Sequence, residues 1–207
     1  MVSALILGKY GIESGSYWKP VQTGTLGDAD VQKIKLLTGI GRDRIRDPLY
    51  SFPKPASPHF AARSEGRKID PEYLIQELSF CRQEKILIEG AGGIFVPLTE
   101  TILTIDVIAR SALEVMVIAH SNLGTINHSL LTLAALKNRN IPVIGFFVYG
   151  ELNELLANNI ETIRNFSGEE FLGYAFVPEN IHRKEEFISF AKNSFDQDEK
   201  LKRSVFR

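Results

Sequence analysis

Glu89 is delivered by the aliphatic run Ile86-Leu87-Ile88 and followed by Gly90, Ala91, Gly92 and Gly93. A carboxylate at the end of a buried strand, with bare backbone beyond it, can hold a metal ion beside phosphate groups. A tight turn after a core strand explains the same residues without any chemistry. Lys19 stands in Tyr17-Trp18-Lys19-Pro20-Val21-Gln22-Thr23-Gly24. Pro20 fixes the chain just after it, so the ammonium is aimed at the edge of a sheet, where it can hold a phosphate or carbamate as a compact point charge. A solvent-facing lysine is the ordinary alternative. Thr23 adds a hydroxyl beside Gly24, which permits close backbone approach. Asp28 and Asp30 bring further acids, and Asp30 opens a predicted helix, where an acid is favourable for the helix alone. Asp30 and Glu89 on one sheet edge would suit magnesium, which takes one or two carboxylates plus phosphate oxygens.

Leu123-Gly124-Thr125-Ile126-Asn127-His128 places backbone amides at a helix start, a ready anion site and equally an ordinary cap. His128 and His120 read as hydrogen-bonded packing residues rather than catalysts. Ser57-Pro58-His59 reads either as a rigid pocket wall or as surface. Cys81, the single cysteine, excludes an internal disulfide and a cysteine-built metal cluster, and reads as a core residue.

The elements that must position these groups alternate between apolar strand-like runs and helical patterns. That alternation predicts an α/β fold with a parallel sheet covered on both faces. Helices are expected over Val2 to Tyr10, Ala29 to Thr38, Asp70 to Arg82 (Asp70 as N-cap, Pro71 in the first turn, and Tyr73, Leu74, Leu78 and Cys81 on one face), Ile105 to Ser111, Ile126 to Asn138 and Asn153 to Phe166. Strands are expected over Gly15 to Val21, Lys85 to Glu89, Val115 to Ala119, Pro142 to Val148 and Phe171 to Phe176. Four prolines between Asp47 and Ala62 predict extended loop. Phe187, Ile188, Phe190, Ala191 and Phe195 form an amphipathic pattern, and residues 196–207 read as a frayed end. With 207 residues, 44% hydrophobic, the chain suffices for one full-sized domain. A net charge of −1 gives no argument for nucleic acid or an anionic membrane as an obligatory partner, and neither is expected. No apolar run reaches the roughly 20 residues of a membrane span, and no secretory signal is evident, so a cytoplasmic location is expected.

The segments Lys19-Pro20-Val21-Gln22-Thr23-Gly24, Asp30, Ser57-Pro58-His59, Glu89-Gly90-Ala91-Gly92-Gly93, Leu123-Gly124-Thr125-Ile126-Asn127-His128 and Leu172-Gly173 follow one another in the order seen in dethiobiotin synthetases, which this chain resembles over nearly its whole length. The resemblance implies a P-loop NTPase-like (Rossmann-like) three-layer sandwich with a mainly parallel central sheet. It implies a homodimer that uses ATP, Mg2+ and CO2 to close a urea ring on 7,8-diaminononanoate. Position by position it implies Lys19 as the catalytic lysine, Thr23 at the diamine, and Asp30 and Glu89 on the metal. Glu89, Gly90, Ala91 and Gly92 would line the nucleotide, and Leu123, Gly124, Thr125 and Asn127 would receive the substrate's far carboxylate from the opposite subunit. Ala175, Phe176 and Val177 would cradle adenine.

Two departures from the family pattern bear on these expectations. The family opens with a strand and a Gly-rich loop ending Gly-Lys-Thr. Here Gly8-Lys9 is the only Gly-Lys pair, with Ser3 where the first glycine belongs and Tyr10 in place of the metal-binding hydroxyl. Met1 falls within the family's first helix, so the single domain reads as N-terminally truncated, with its first strand missing. A start assigned too late, a degenerate non-catalytic relative and an enzyme working without the loop are the explanations, and little synthetase activity is expected of these 207 residues. Tyr149-Gly150 stands where relatives place Asn-Asp to read adenine, which puts nucleotide preference in question. A regulatory ATPase of the same superfamily and an inert binding protein are the rival readings.

Overall fold

The computed structural model describes residues 1–11, 15–25 and 30–206. Asp28, Ala29 (the expected first residue of the second helix) and Arg207 lie outside them. The chain divides into two compact units, Met1 with Ser3–Leu113, and Val2 with residues from Glu114 onward.

The first unit carries helix α1 (Val2–Tyr10), strands β1 (Ser16–Trp18) and β2 (Val21–Thr23), helix α2 (Asp30–Thr38), and strands β3 (Ile45–Arg46) and β4 (Tyr50–Phe52). Helices α3 (Pro58–Ser64) and α4 (Pro71–Phe80), strand β5 (Ile86–Ile88) and helix α5 (Thr104–Ser111) complete it. The strand expected over Gly15 to Val21 is thus two short strands, parted at Lys19-Pro20 because proline has no N–H to continue the ladder. β1 lies between β3 and β5, parallel to both, and β2 pairs in parallel with β4. Trp18 and Phe52 are fully buried with Val21, Ala61, Ala62, Leu74, Ile75, Leu78 and Cys81 in one apolar cluster. Cys81 is core, as expected. Burial raises its thiol above the ordinary range, against the opposing pull of the Arg46 guanidinium.

Residues 47–62 are not the extended loop that their prolines suggested. Tyr50–Phe52 pairs with β2, and Pro58 occupies the first turn of α3 after Ser57. Proline is at home there, because the N–H it lacks would have no partner in a helix's first turn. α4 starts as expected: Asp70 Oδ1 accepts from the N–H groups of Glu72 and Tyr73, at 3.0 and 3.2 Å. Leu74, Leu78 and Cys81 are buried, whereas Tyr73 is exposed.

The second unit has strands β6 (Val115–His120), β7 (Val143–Tyr149) and β8 (Phe171–Ala175) in that order, all parallel. Its helices are α6 (Thr125–Asn138), α7 (Leu156–Ser167), α8 (Lys184–Ser194) and α9 (Lys200–Val205). α7 begins three residues later than the apolar spacing suggests. Asn153 instead turns the chain, its Oδ1 accepting from Leu155 N–H and its amide donating to Ser121 O. Phe187 and Ala191 of α8 and the following Phe195 are fully buried. The end of the chain is not frayed through residue 206. Asp196 accepts from Leu201 N–H and Lys202 N–H, both at 2.9 Å, and Leu201 is fully buried as α9 packs on β8. Among the described residues no helix is long and apolar enough to cross a membrane.

Candidate active site

β1 and β5 are aligned so that Trp18 faces Ile88, and Glu89 N–H donates to Trp18 O at 2.9 Å. The next residues of the two parallel strands, Lys19 and Glu89, therefore leave the same carboxyl edge side by side. Lys19 is only 8% exposed, so it is not the solvent-facing lysine of the ordinary alternative. Its Nζ donates to Oδ2 of Asp30, at the start of α2, and to Oε1 of Glu89 at 3.3 Å. A buried ammonium requires such compensation. Partial burial pushes the Asp30 carboxyl upward, but the hydrogen bond and charge of Lys19 outweigh it and hold the group below its ordinary value.

The other oxygen of Glu89, Oε2, accepts from Ser3 Oγ at 2.6 Å and from the Tyr17 hydroxyl at 3.2 Å. Burial first, and then the Glu89 charge, raise Tyr17 far above the ordinary phenol range, so it stays a protonated donor. Ser3 and Tyr17 were not anticipated as site residues. The available signal was period: Tyr17 lies two residues before Lys19, hence on the same face of an extended chain.

A pocket of ≈ 330 Å³ opens here, lined by Lys19, Thr23, Asp30, Ala56, Ser57, Pro58, Ala91, Gly92 and Val96. Ser57-Pro58 is thus a pocket wall rather than mere surface. Ala56 and Val96 carry no chemical signature in the sequence and were missed. Gly92 has φ +88°, and a Cβ there would stand 3.0 Å from Val96 Cγ2, so both conformation and space call for glycine. Among the described residues no group of three or more His, Cys, Asp or Glu could hold a metal ion. The carboxylates that do converge, Asp30 and Glu89, are two, the number a magnesium ion takes from protein when phosphate oxygens and water fill its other positions.

Residues 1–184 match the family model described as an AAA domain. The ATP-dependent dethiobiotin synthetase BioD of Leptospira interrogans is 40% identical over 202 residues, covering 97% of this chain and 90% of that protein. The chain belongs to the dethiobiotin synthetase family. The dethiobiotin synthetase of Bradyrhizobium diazoefficiens is 44% identical over 146 residues (70% of this chain, 68% of that protein), and that of Lysinibacillus sphaericus 39% over 175 residues (78% and 72%). As an α/β chain paired in parallel throughout its named sheets, it has the fold class expected of a P-loop NTPase-like dethiobiotin synthetase.

The remaining residues expected for a dethiobiotin synthetase lie in the second unit. Gly124, with φ +92°, precedes α6, and Leu123 beside it is 93% exposed. Thr125 is buried, with its Oγ1 3.5 Å from Ser129 Oγ, and Asn127 is exposed. His120 and His128 are also exposed, so neither is the packing residue expected. Ala175 ends β8, and Ala175 and Val177 are buried with Phe176 half-buried between them. The Tyr149 hydroxyl is raised by burial, partly offset by a hydrogen bond with the Val177 backbone. Tyr174 donates its hydroxyl to Gly150 O at 2.6 Å.

Proposed function

We propose that this chain carries out the ring closure of 7,8-diaminononanoate with CO2 to dethiobiotin, releasing ADP and phosphate, as a cytoplasmic homodimer in biotin biosynthesis. The observation that carries the reading is the Lys19 ammonium held between Asp30 and Glu89 at the rim of the pocket. Family membership supports it.

In this reading one substrate amine adds to CO2, forming an N–C bond and losing a proton to give a carbamate. A carbamate oxygen then takes the γ-phosphoryl group of ATP as the bond to ADP breaks. The second amine attacks the carbamoyl carbon, the C–O bond to phosphate breaks, a proton leaves and the ring closes. Lys19 neutralises carbamate and phosphoryl charge, and Thr23 contacts the diamine. Glu89, Gly90, Ala91 and Gly92 line the nucleotide, and the family's adenine-cradling positions correspond to Ala175, Phe176 and Val177. Leu123, Gly124, Thr125 and Asn127 receive the far carboxylate from the opposite subunit. Asp30 and Glu89 would hold Mg2+, which supplies charge neutralisation for the triphosphate when bound. These groups position and neutralise; the site needs no nucleophile of its own.

Phosphate release from ATP, measured with Mg2+ and bicarbonate in the presence and absence of 7,8-diaminononanoate, tests the reading. Whatever its rate, the release is expected to depend on the diamine and to be matched by dethiobiotin in equal amount. A second reading, a non-catalytic or regulatory relative, has one observation in its favour. The only Gly-Lys pair, Gly8-Lys9, is wound into α1, where its amides are committed to the helix rather than free for phosphate. Phosphate release indifferent to the diamine, or none, favours that reading.

A further inference from the structure

The two oxygens of Glu89 have different partners. Oε1 faces Lys19, and Oε2 receives both the Ser3 hydroxyl, from α1, and the Tyr17 hydroxyl, from β1. Ser3, Tyr17 and Glu89 do not line the pocket themselves; Lys19, the partner of Oε1, does. Tyr17 is fully buried on the central strand of its sheet, and Ser3 is half-buried on a helix whose neighbours Ala4, Leu5 and Ile6 are buried. Two well-anchored elements therefore grip one oxygen of an acid that stands past the end of its own strand, ahead of a glycine-rich turn.

We propose that Tyr17 and Ser3 are positioning residues, which lock the Glu89 carboxylate so that Oε1 is the oxygen presented to Lys19. The inference rests on the reading of Glu89 as a metal-holding acid. A hydroxyl donated to the rear oxygen of a ligating carboxylate fixes its rotation, and losing such a partner commonly weakens metal binding. With both hydroxyls gone, the carboxylate turns about its last bond and loses its fixed aim.

The test is Mn2+ binding to the full 207-residue chain, followed by the electron paramagnetic resonance signal of the free ion. It compares wild type, Y17F, S3A, E89Q and the double variant Y17F/E89Q. Y17F removes one hydroxyl and keeps the buried ring; S3A removes the other from a half-buried position and carries the test if Y17F misfolds. Y17F and S3A are each expected to weaken Mn2+ binding about tenfold, E89Q at least as much, and Y17F/E89Q no more than E89Q alone. Wild-type affinity in Y17F and S3A beside a weakened E89Q overturns the inference and leaves the metal reading standing. A Y17F/E89Q variant weaker than E89Q by the full Y17F effect also overturns it, because Tyr17 would then act without Glu89. Wild-type affinity in E89Q overturns the metal reading itself, and the inference with it.

Discussion

Lys19 Nζ lies 3.3 Å from Glu89 Oε1 although 70 positions separate the two residues in the chain. Lys19 is buried and Glu89 is partly so, which means that removing the ammonium leaves two adjacent carboxylates without their shared partner. Lys19→Met is expected to destabilise the first unit by about 1–3 kcal/mol, read from urea unfolding. Diamine-dependent phosphate release is expected to fall by about 10²-fold or more. Unchanged release in Lys19→Met removes the lysine from the proposed chemistry.

Asp30 gives a pH signature. Its folded-state value lies below the ordinary 3.8, so as pH falls the unfolded chain takes up this proton first. The stabilisation is fully present above about pH 4 and disappears as pH drops through the folded value. Urea unfolding from neutral pH downward should therefore show wild type more stable than Asp30→Asn, with the gap closing in acid. A gap that widens in acid contradicts the Lys19–Asp30 contact.

Gly92→Ala places a side chain at positive φ against Val96. A loss of about 1 kcal/mol or more in stability is expected, with weaker nucleotide binding by calorimetry. Adding Val96→Ala removes the close contact but not the backbone strain, so it should restore only part of the loss. Full restoration would show that crowding, not conformation, dominates.

Leu201→Ala should cost about 2–5 kcal/mol in thermal or urea unfolding, the range for emptying a packed site. A change within error means that α9 contributes nothing to the second unit.

The groups that meet at the Lys19 ammonium were readable because each has a local sign. Lys19 precedes a proline, Asp30 opens a helix, and Glu89 ends an aliphatic run and meets glycines. The burial of Lys19 was not readable, since it depends on acids 11 and 70 positions away. Ser3 and Tyr17 were hidden for the same reason: a hydroxyl has no sequence signature for a partner that only the sheet brings near. Pro58 was misread because a proline that ends one element looks the same as one that begins another. Residues 196–206 looked frayed because they are rich in charge; their anchor is a single apolar residue, Leu201, plus a carboxylate that bonds backbone N–H groups.

Since Trp18 is held opposite Ile88 by the Glu89 N–H bond, both strands measure out the site by counting. One residue gained or lost between positions 16 and 19, or between 86 and 89, would turn every following side chain to the other side of the sheet. The ammonium and the acid would then face away from each other even with both residues still present. These two short stretches can drift in composition, but not in length.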